Sequence, residues 1–307
     1  MNLADFPDFS GQGGLTLSTE RFDRIFITGY SSFVGSHVLK RLLNTGITNR
    51  IILLGRKPQF HPSSSWQHWD LNVPQAAGMS YNGRNLLIHF AAQLSGTESV
   101  DYKALYDREA DFLERYRIMQ ITDVVYASTG GVYGYTADSK EHDETRPEES
   151  YSRYKLAIEE NIACLWPRSH LILRYFFPFG AEQRRPRLIP GLIYKLMAKQ
   201  TICIEGERYG LTINPIHIED AAEASVWMIL NNLHGVYNIA GRRSLTILDL
   251  VQQISRGLQL TPNLEYSRVK DRVMTGSVDK LLAQNDKLLS TPWEEALHRT
   301  LAHYLGV

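Results

Sequence analysis

Short apolar runs alternate with amphipathic stretches through the first half of the chain. Residues 24–28 predict a strand, followed by a glycine turn and a helix through Leu43. Residues 50–54 are nearly all apolar, as a strand covered on both faces should be. Residues 85–90, 123–127 and 171–174 continue the strand series, with helices expected over 102–119 and 151–165. Strands alternating with helices build a parallel sheet with helices on its faces, an α/β fold.

Beyond Phe176 the rhythm changes. Residues 184–187 are basic and broken by proline, and helices are expected over 188–199, 219–231, 246–257 and 291–304. Strand-like runs at 202–205 and 236–239 are short. The pattern predicts a smaller, mixed C-terminal substrate-binding lobe over the carboxyl ends of the main sheet, where open α/β sheets bind ligands. The expected division is a leader over 1–22, a dinucleotide-binding domain over 23–175 and the substrate lobe over 176–307. Residues 213–240 are expected to return to the first domain.

The 307 residues are 43% hydrophobic, enough to bury such a core. Lys plus Arg equals Asp plus Glu at 33 each, which gives no support to a nucleic-acid partner. Cys164 and Cys203 are not in a metal-ligand spacing, so neither a disulfide framework nor a metal is expected. No run approaches the roughly 20 apolar residues of a membrane span. Residues 1–17 have neither the basic start nor the apolar core of a signal peptide, and the expected location is cytoplasmic.

The run Thr28-Gly29-Tyr30-Ser31-Ser32-Phe33-Val34-Gly35 joins a strand to a helix through glycines. Backbone N–H groups and the helix dipole would cradle a pyrophosphate there. Gly29 and Gly35 hold the outer positions, and Ser32 stands where many such loops have glycine. NAD-binding versions usually place an acidic residue about 20 positions on. From Val38 through Trp69 there is none, and the second strand ends in Gly55-Arg56-Lys57. Two cations suit a 2′-phosphate, so NADP is expected ahead of NAD.

Tyr151 and Lys155 lie four apart on a predicted helix and share a face. The ammonium is expected to lower the pKa of the phenol, fitting Tyr151 to exchange a proton with a carbonyl or alcohol oxygen. Thr129 ends the strand before them and would align the same oxygen. Tyr154, adjacent to Lys155, is expected to face elsewhere. His89 and His217 read as packed or locally bonded.

With these motifs in order, the chain resembles the extended short-chain dehydrogenase/reductase family in its NAD(P)-dependent epimerase/dehydratase branch. The resemblance also rests on Asp70-Leu71, His89-Phe90-Ala91-Ala92, Arg174-Tyr175-Phe176 and Ile216-His217-Ile218-Glu219-Asp220. It implies a Rossmann-type doubly wound sheet and a catalytic set of Thr129, Tyr151 and Lys155. Expected cofactor contacts are Gly29, Ser31, Ser32, Phe33, Val34 and Gly35 in the turn, with Arg56 and Lys57 beyond the second strand. Asp70 and Leu71 would meet the adenine end; Phe90, Ala91, Ala92, Tyr151, Lys155 and Phe177 would meet the remainder. The family commonly acts on nucleotide-linked sugars, and a homodimer through the helices at 102–119 and 151–165 is implied.

Several positions depart from the family pattern. Family dehydratases carry an acidic pair after the strand-end threonine, where this chain has Gly130 and Gly131. Asparagine is usual at Phe177, an arginine is usual within 211–215, and asparagine is usual at Tyr106. Arg184, Arg185 and Arg187 remain as candidate diphosphate contacts. The leading expectation is an NADPH-dependent reductase of a keto group on a small, possibly nucleotide-linked, sugar-like substrate. The alternatives are a nucleotide-sugar epimerase with tightly bound cofactor and a cofactor-binding regulatory protein without efficient turnover.

Overall fold

The computed structural model describes residues 21–46, 50–56, 64–70, 80–91, 101–267 and 269–306. Lys57, Leu71, Ala92 and leader residues 1–20 lie outside these ranges. Along the first half run β1 (Arg24–Thr28), α1 (Phe33–Asn44), β2 (Ile51–Gly55), β3 (Ser65–His68) and β4 (Asn85–His89). They are followed by α2 (Tyr102–Ile118), β5 (Asp123–Thr129), α3 (Ser150–Leu165) and β6 (His170–Tyr175). The second half holds β7 (Pro178–Phe179), α4 (Leu188–Met197), β8 (Ile202–Ile204), β9 (Thr212–Ile213), β10 (Ile216–His217) and α5 (Ile218–Leu230). It closes with β11 (Gly235–Ile239), β12 (Leu245–Thr246), α6 (Ile247–Leu258), β13 (Leu264–Tyr266), β14 (Val273–Met274), α7 (Asp279–Leu282) and α8 (Trp293–Leu305).

The main sheet has seven parallel strands in the order β11-β6-β5-β4-β1-β2-β3. From β1 the chain steps outward to β3, then crosses back to lay β4 on the other side of β1. The direction reverses between β1 and β4, and the crevice at that point is where doubly wound sheets bind ligands. The β1–β4 register sets Thr28 beside His89, so the turn after β1 and the end of β4 meet there.

Apolar residues on both sides of these strands bury two helix layers. Val38, Leu39 and Leu42 of α1 pack with Ala221, Ala222 and Met228 of α5 on one face. Leu105, Phe112 and Leu113 of α2 pack with Tyr154, Ile158 and Ile162 of α3 on the other. Each fully buried aliphatic side chain contributes about 1.5–3 kcal/mol, so these layers hold the sheet rigid beneath the crevice. A third cluster, joining Ile193 and Leu196 of α4, Leu250 and Ile254 of α6 and Leu297 of α8, builds the smaller lobe. No helix among the described residues is long and apolar enough to cross a membrane.

Candidate active site

The cofactor turn forms for local reasons. Gly29 has φ +64°, and a Cβ there would run into the backbone of Phe90 and Ala91. Only glycine lets the turn lie this close to the end of β4. Ser32 caps α1, its Oγ accepting the Gly35 N–H at 3.1 Å. The middle position therefore holds serine as a helix cap, with its hydroxyl proton still able to be donated. Ser31 is exposed, Phe33 and Val34 are half-buried, and Gly35 is buried against the Gly29 carbonyl. A glycine turn pressed on β4 and leading into a capped helix N-terminus fits a dinucleotide pyrophosphate. Phe90 is buried, whereas Ala91 and Asp70 are half-buried.

At the end of β5 the Thr129 hydroxyl oxygen accepts the Gly131 N–H at 3.2 Å and starts a single 3₁₀ turn, Gly130–Tyr133. The glycines after it are fixed by packing. A Cβ on Gly130 would overlap the Phe176 ring, and one on Gly131 would overlap the Ser152 hydroxyl of α3. Of the two positions where a dehydratase would carry carboxylates, Gly130 is closed by a rigid ring, and Gly131 meets only a hydroxyl that can turn aside.

Tyr151 and Lys155 share a face of α3 but meet different surroundings. Tyr151 is half-buried, whereas Lys155 is 1% exposed, with Nζ 4.0 Å from the centroid of the Tyr126 ring. Burial pushes the Tyr151 phenol up to about 12, and the cation acting against that rise is Arg187, exposed at the start of α4. Lys155 is drawn inward over the Tyr126 ring, and Arg187 supplies a charge that opposes the rise. Tyr154 does not face elsewhere. Its ring lies 5.8 Å from Lys155 Nζ and 6.3 Å from the Tyr151 ring, and its hydroxyl donates to Glu109.

Glu109 escaped the sequence reading, although 105, 109, 112, 113 and 116 form one helical stripe whose other members are Leu, Phe, Leu and Tyr. The spacing placed a carboxylate on the apolar face of α2, and that was the available signal. Beneath the same strands, Arg174 grips Glu159 in a buried fork, with Nε–Oε2 at 3.1 Å and Nη2–Oε2 at 2.6 Å, and Ser128 donates to the same carboxylate.

Just past β6, Phe177 has φ +45°, a left-handed conformation that asparagine adopts more readily than phenylalanine. Arg185 stacks on Tyr194 at 3.6 Å, while Arg184 is exposed. Tyr106, at the departure noted on α2, packs against the cluster that holds Glu109's neighbours Tyr154 and Phe112. A separate cavity of about 420 Å³ lies between β10 and the start of α8, lined by Phe179, His217 and Trp293. Thr129, Tyr151 and Lys155 do not line it, so it is distinct from the crevice at the switch point.

The seven-stranded sheet and the glycine turn at its switch point define a doubly wound, dinucleotide-binding fold. The chain belongs to the NAD dependent epimerase/dehydratase family, which matches residues 25–240. It is 25% identical to a trifunctional UDP-glucose 4,6-dehydratase/3,5-epimerase/reductase of Arabidopsis thaliana, over 94% of this chain and 48% of that protein. The chain thus spans about half the length of that curated relative. It is also 25% identical to a putative UDP-glucose 4-epimerase of Methanocaldococcus jannaschii, over 88% of this chain and 92% of that one. Among solved structures, MoeE5 in complex with UDP-glucuronic acid and NAD superposes with a TM-score of 0.77 at 22% identity, covering 92% of this chain and 99% of its own. The UDP-glucuronic acid 4-epimerase of Bacillus cereus, with UDP-glucuronic acid and NAD, gives 0.79 at 17% identity with the same coverage.

These findings correct the cofactor. The family is NAD dependent, and the neighbours solved with a dinucleotide hold NAD. The NADP expected from Arg56 and Lys57 is overturned. Arg56 is exposed just past β2, where a cation is stable in water without a phosphate partner, and Lys57 lies outside the described residues.

Proposed function

We propose that the chain is a nucleotide-sugar epimerase that retains NAD and works through a transient keto sugar. The observation that carries this reading is the pair Gly130 and Gly131, packed under Phe176 and Ser152. Without carboxylates at these two positions the chain lacks the acid/base equipment of a dehydratase, and Thr129 and Tyr151 are the groups left to handle the proton at the end of β5 and the start of α3. Relatives that are epimerases, and the NAD dependence of the family, favour this reading over the NADPH-consuming reductase expected from the sequence.

NAD, when bound, supplies a reversible acceptor for the hydrogen removed from the sugar carbon. Gly29, Ser31, Ser32, Phe33, Val34 and Gly35 would hold its pyrophosphate at the α1 N-terminus, with Phe90 and Ala91 beside it. Asp70 and Arg56, just past the ends of the neighbouring strands β3 and β2, would meet the adenosine end. Thr129 orients the reacting hydroxyl towards Tyr151, which takes its proton as the ketone forms and returns it after the sugar turns over. Lys155, one turn further along α3, contributes a positive charge. Phe177 and Arg187 border the substrate side, where Arg187 also suits an anionic group of the nucleotide sugar.

The test is incubation of the purified protein with UDP-glucose and, separately, UDP-glucuronic acid, without added reductant, followed by NMR of the sugar. Interconversion of the C4 epimers without net NADH formation is expected. Stoichiometric consumption of NADH with a keto substrate, and no epimerisation, would instead establish the reductase.

A further inference from the structure

A wholly buried carboxylate lies beneath the cofactor turn, and no step of the proposed reaction uses it. Glu109 on α2 is 0% exposed; its Oε2 accepts the Tyr154 hydroxyl, and its Oε1 stands 3.2 Å from His89 Nε2. On the far side of that imidazole, Nδ1 lies 2.6 Å from Thr28 Oγ1, which in turn accepts the Ala91 N–H at 3.3 Å. Thr28 Oγ1 thus bridges the imidazole and the backbone after β4, while the other ring nitrogen, Nε2, faces Glu109. His89 and Thr28 are both 0% exposed, so this link from α2 to the cofactor turn runs wholly inside the protein.

Lys155 shares the chamber. Its Nζ sits over Tyr126 of β5 and near Tyr154 of α3, and both phenols also interact with Glu109. Burying a lone ammonium or a lone carboxylate costs several kcal/mol even after relaxation, so opposite charges in one chamber offset that cost, here across the Tyr154 phenol that lies between them. Burial pulls the lysine down to about 8, and Glu109 and Glu159 oppose that fall. Glu159 is engaged by the Arg174 fork and the Ser128 hydroxyl. Burial likewise pushes the Glu109 carboxyl up, but His89, Lys155 and Tyr154 together hold it below the ordinary carboxylate value. The groups around the lysine are therefore Glu109 from α2, Tyr126 from β5, and Tyr154 and Glu159 from α3. His89 and Arg174 stand one contact further out.

We propose that Glu109 is a positioning residue, the buried counter-charge that keeps Lys155 an ammonium, and that His89 ties this pair to the Thr28–Ala91 seam carrying the cofactor turn. Charge at the lysine and geometry at the turn are then coupled through a single carboxylate. The proposal rests on Lys155 being the site lysine, but its first test reads the ammonium directly and does not depend on the substrate.

The full-length protein, labelled with ¹³C at lysine Cε, is titrated by NMR, with Lys155 assigned by its loss in Lys155→Met. In Glu109→Gln the Lys155 midpoint is expected to fall by about one pH unit or more, and in Glu109→Asp to stay within about half a unit. An unchanged midpoint in Glu109→Gln overturns the proposal. Should Glu109→Gln not fold, thermal melts of Lys155→Met and of Lys155→Met/Glu109→Gln decide the matter. The double variant is expected to melt above the single one, because the orphaned carboxylate has been removed. A double variant melting lower than the single overturns the pairing. If epimerase activity is in hand, the alkaline fall of kcat in Glu109→Gln moves to lower pH, since the ammonium is lost there sooner. Failure of the epimerase assay alone leaves the titration result standing.

Discussion

Gly130 lies so close under the ring of Phe176 that a Cβ at this position would overlap it. The first residue after Thr129 is therefore set by packing against Phe176, just past β6, and the chemistry available at the end of β5 follows from it. Gly130→Asp, which installs one carboxylate of a dehydratase, is expected to destabilise the fold by about 1–3 kcal/mol through overpacking. A thermal melt checks this, and an unchanged melting temperature would mean that Phe176 moves freely. No dehydration product is expected from the variant.

Tyr151→Phe is expected to lower turnover by about a hundredfold or more while leaving NAD bound, as removal of a general acid/base does. NAD titration followed by fluorescence, beside a sugar assay, separates the two effects. Near-normal turnover would remove Tyr151 from the proton-transfer role.

The pH dependence follows from the same phenol. With burial holding Tyr151 up to about 12 and Arg187 acting to lower it, the phenol is protonated at neutral pH. The rate of alcohol oxidation is expected to rise with pH as the phenolate fraction grows, until Lys155, pulled down to about 8 by burial, loses its proton and the rate falls. Arg187→Ala removes the opposing cation, raises the phenol further and shifts the rising limb to higher pH. Activity near neutrality would fall by up to about tenfold. A pH–rate profile unmoved by Arg187→Ala would separate the guanidinium from the phenol.

Asp123, at the start of β5, accepts a fork from Arg84, with Nε–Oδ2 at 3.0 Å and Nη2–Oδ1 at 2.7 Å. Burial pushes its carboxyl up, but the bonds from Arg84 and Thr122 and the charges of Arg84 and His234 bring it below the ordinary value. A carboxyl depressed in the folded state adds stability above the unfolded pKa, and that stability is lost as pH falls through the folded one. Arg84→Met is expected to cost about 1–2 kcal/mol near neutrality, a partly exposed guanidinium being screened, and to flatten the acid limb of stability. Urea melts from pH 7 down to pH 3 measure both.

Phe177 keeps a left-handed backbone, which costs a residue other than glycine about 1–2 kcal/mol. Phe177→Asn relieves part of that cost and gives up the apolar contact of a half-buried ring. The two effects should offset, leaving the melting temperature within a few degrees. A loss above about 3 kcal/mol would show that the ring's packing between the two lobes dominates.

The strands of the main sheet were legible because their apolar runs are short, bounded and covered on both faces. The edge strand Ser65–His68 was not, because it is mostly exposed and its Ser-Trp-Gln-His sequence has no apolar run. Glu109 was hidden by its neighbours: Asp107, Arg108 and Asp111 make α2 read as a solvated helix, and only the stripe through Leu105 and Leu113 places the carboxylate inside. The cofactor misled for a related reason. The cations after β2 suggest phosphate ligands by sequence, whereas Arg56 is exposed at a strand end. Spacing put Tyr151 and Lys155 on one helical face but carried no information about the depth of each side chain, which depends on Tyr126 and Glu109 from distant segments.

The pairing of β11 with β6 has a consequence for how the chain folds and where it tolerates cutting. Gly235–Ile239 adds the last strand of the main sheet only after the chain has passed through β7, α4, β8 and β9 of the smaller lobe. Loop closure over that distance slows formation of this edge and ties both lobes into one unfolding unit. A fragment ending at Phe176 would retain the cofactor turn, yet it would present β6 as an open, apolar sheet edge inviting self-association.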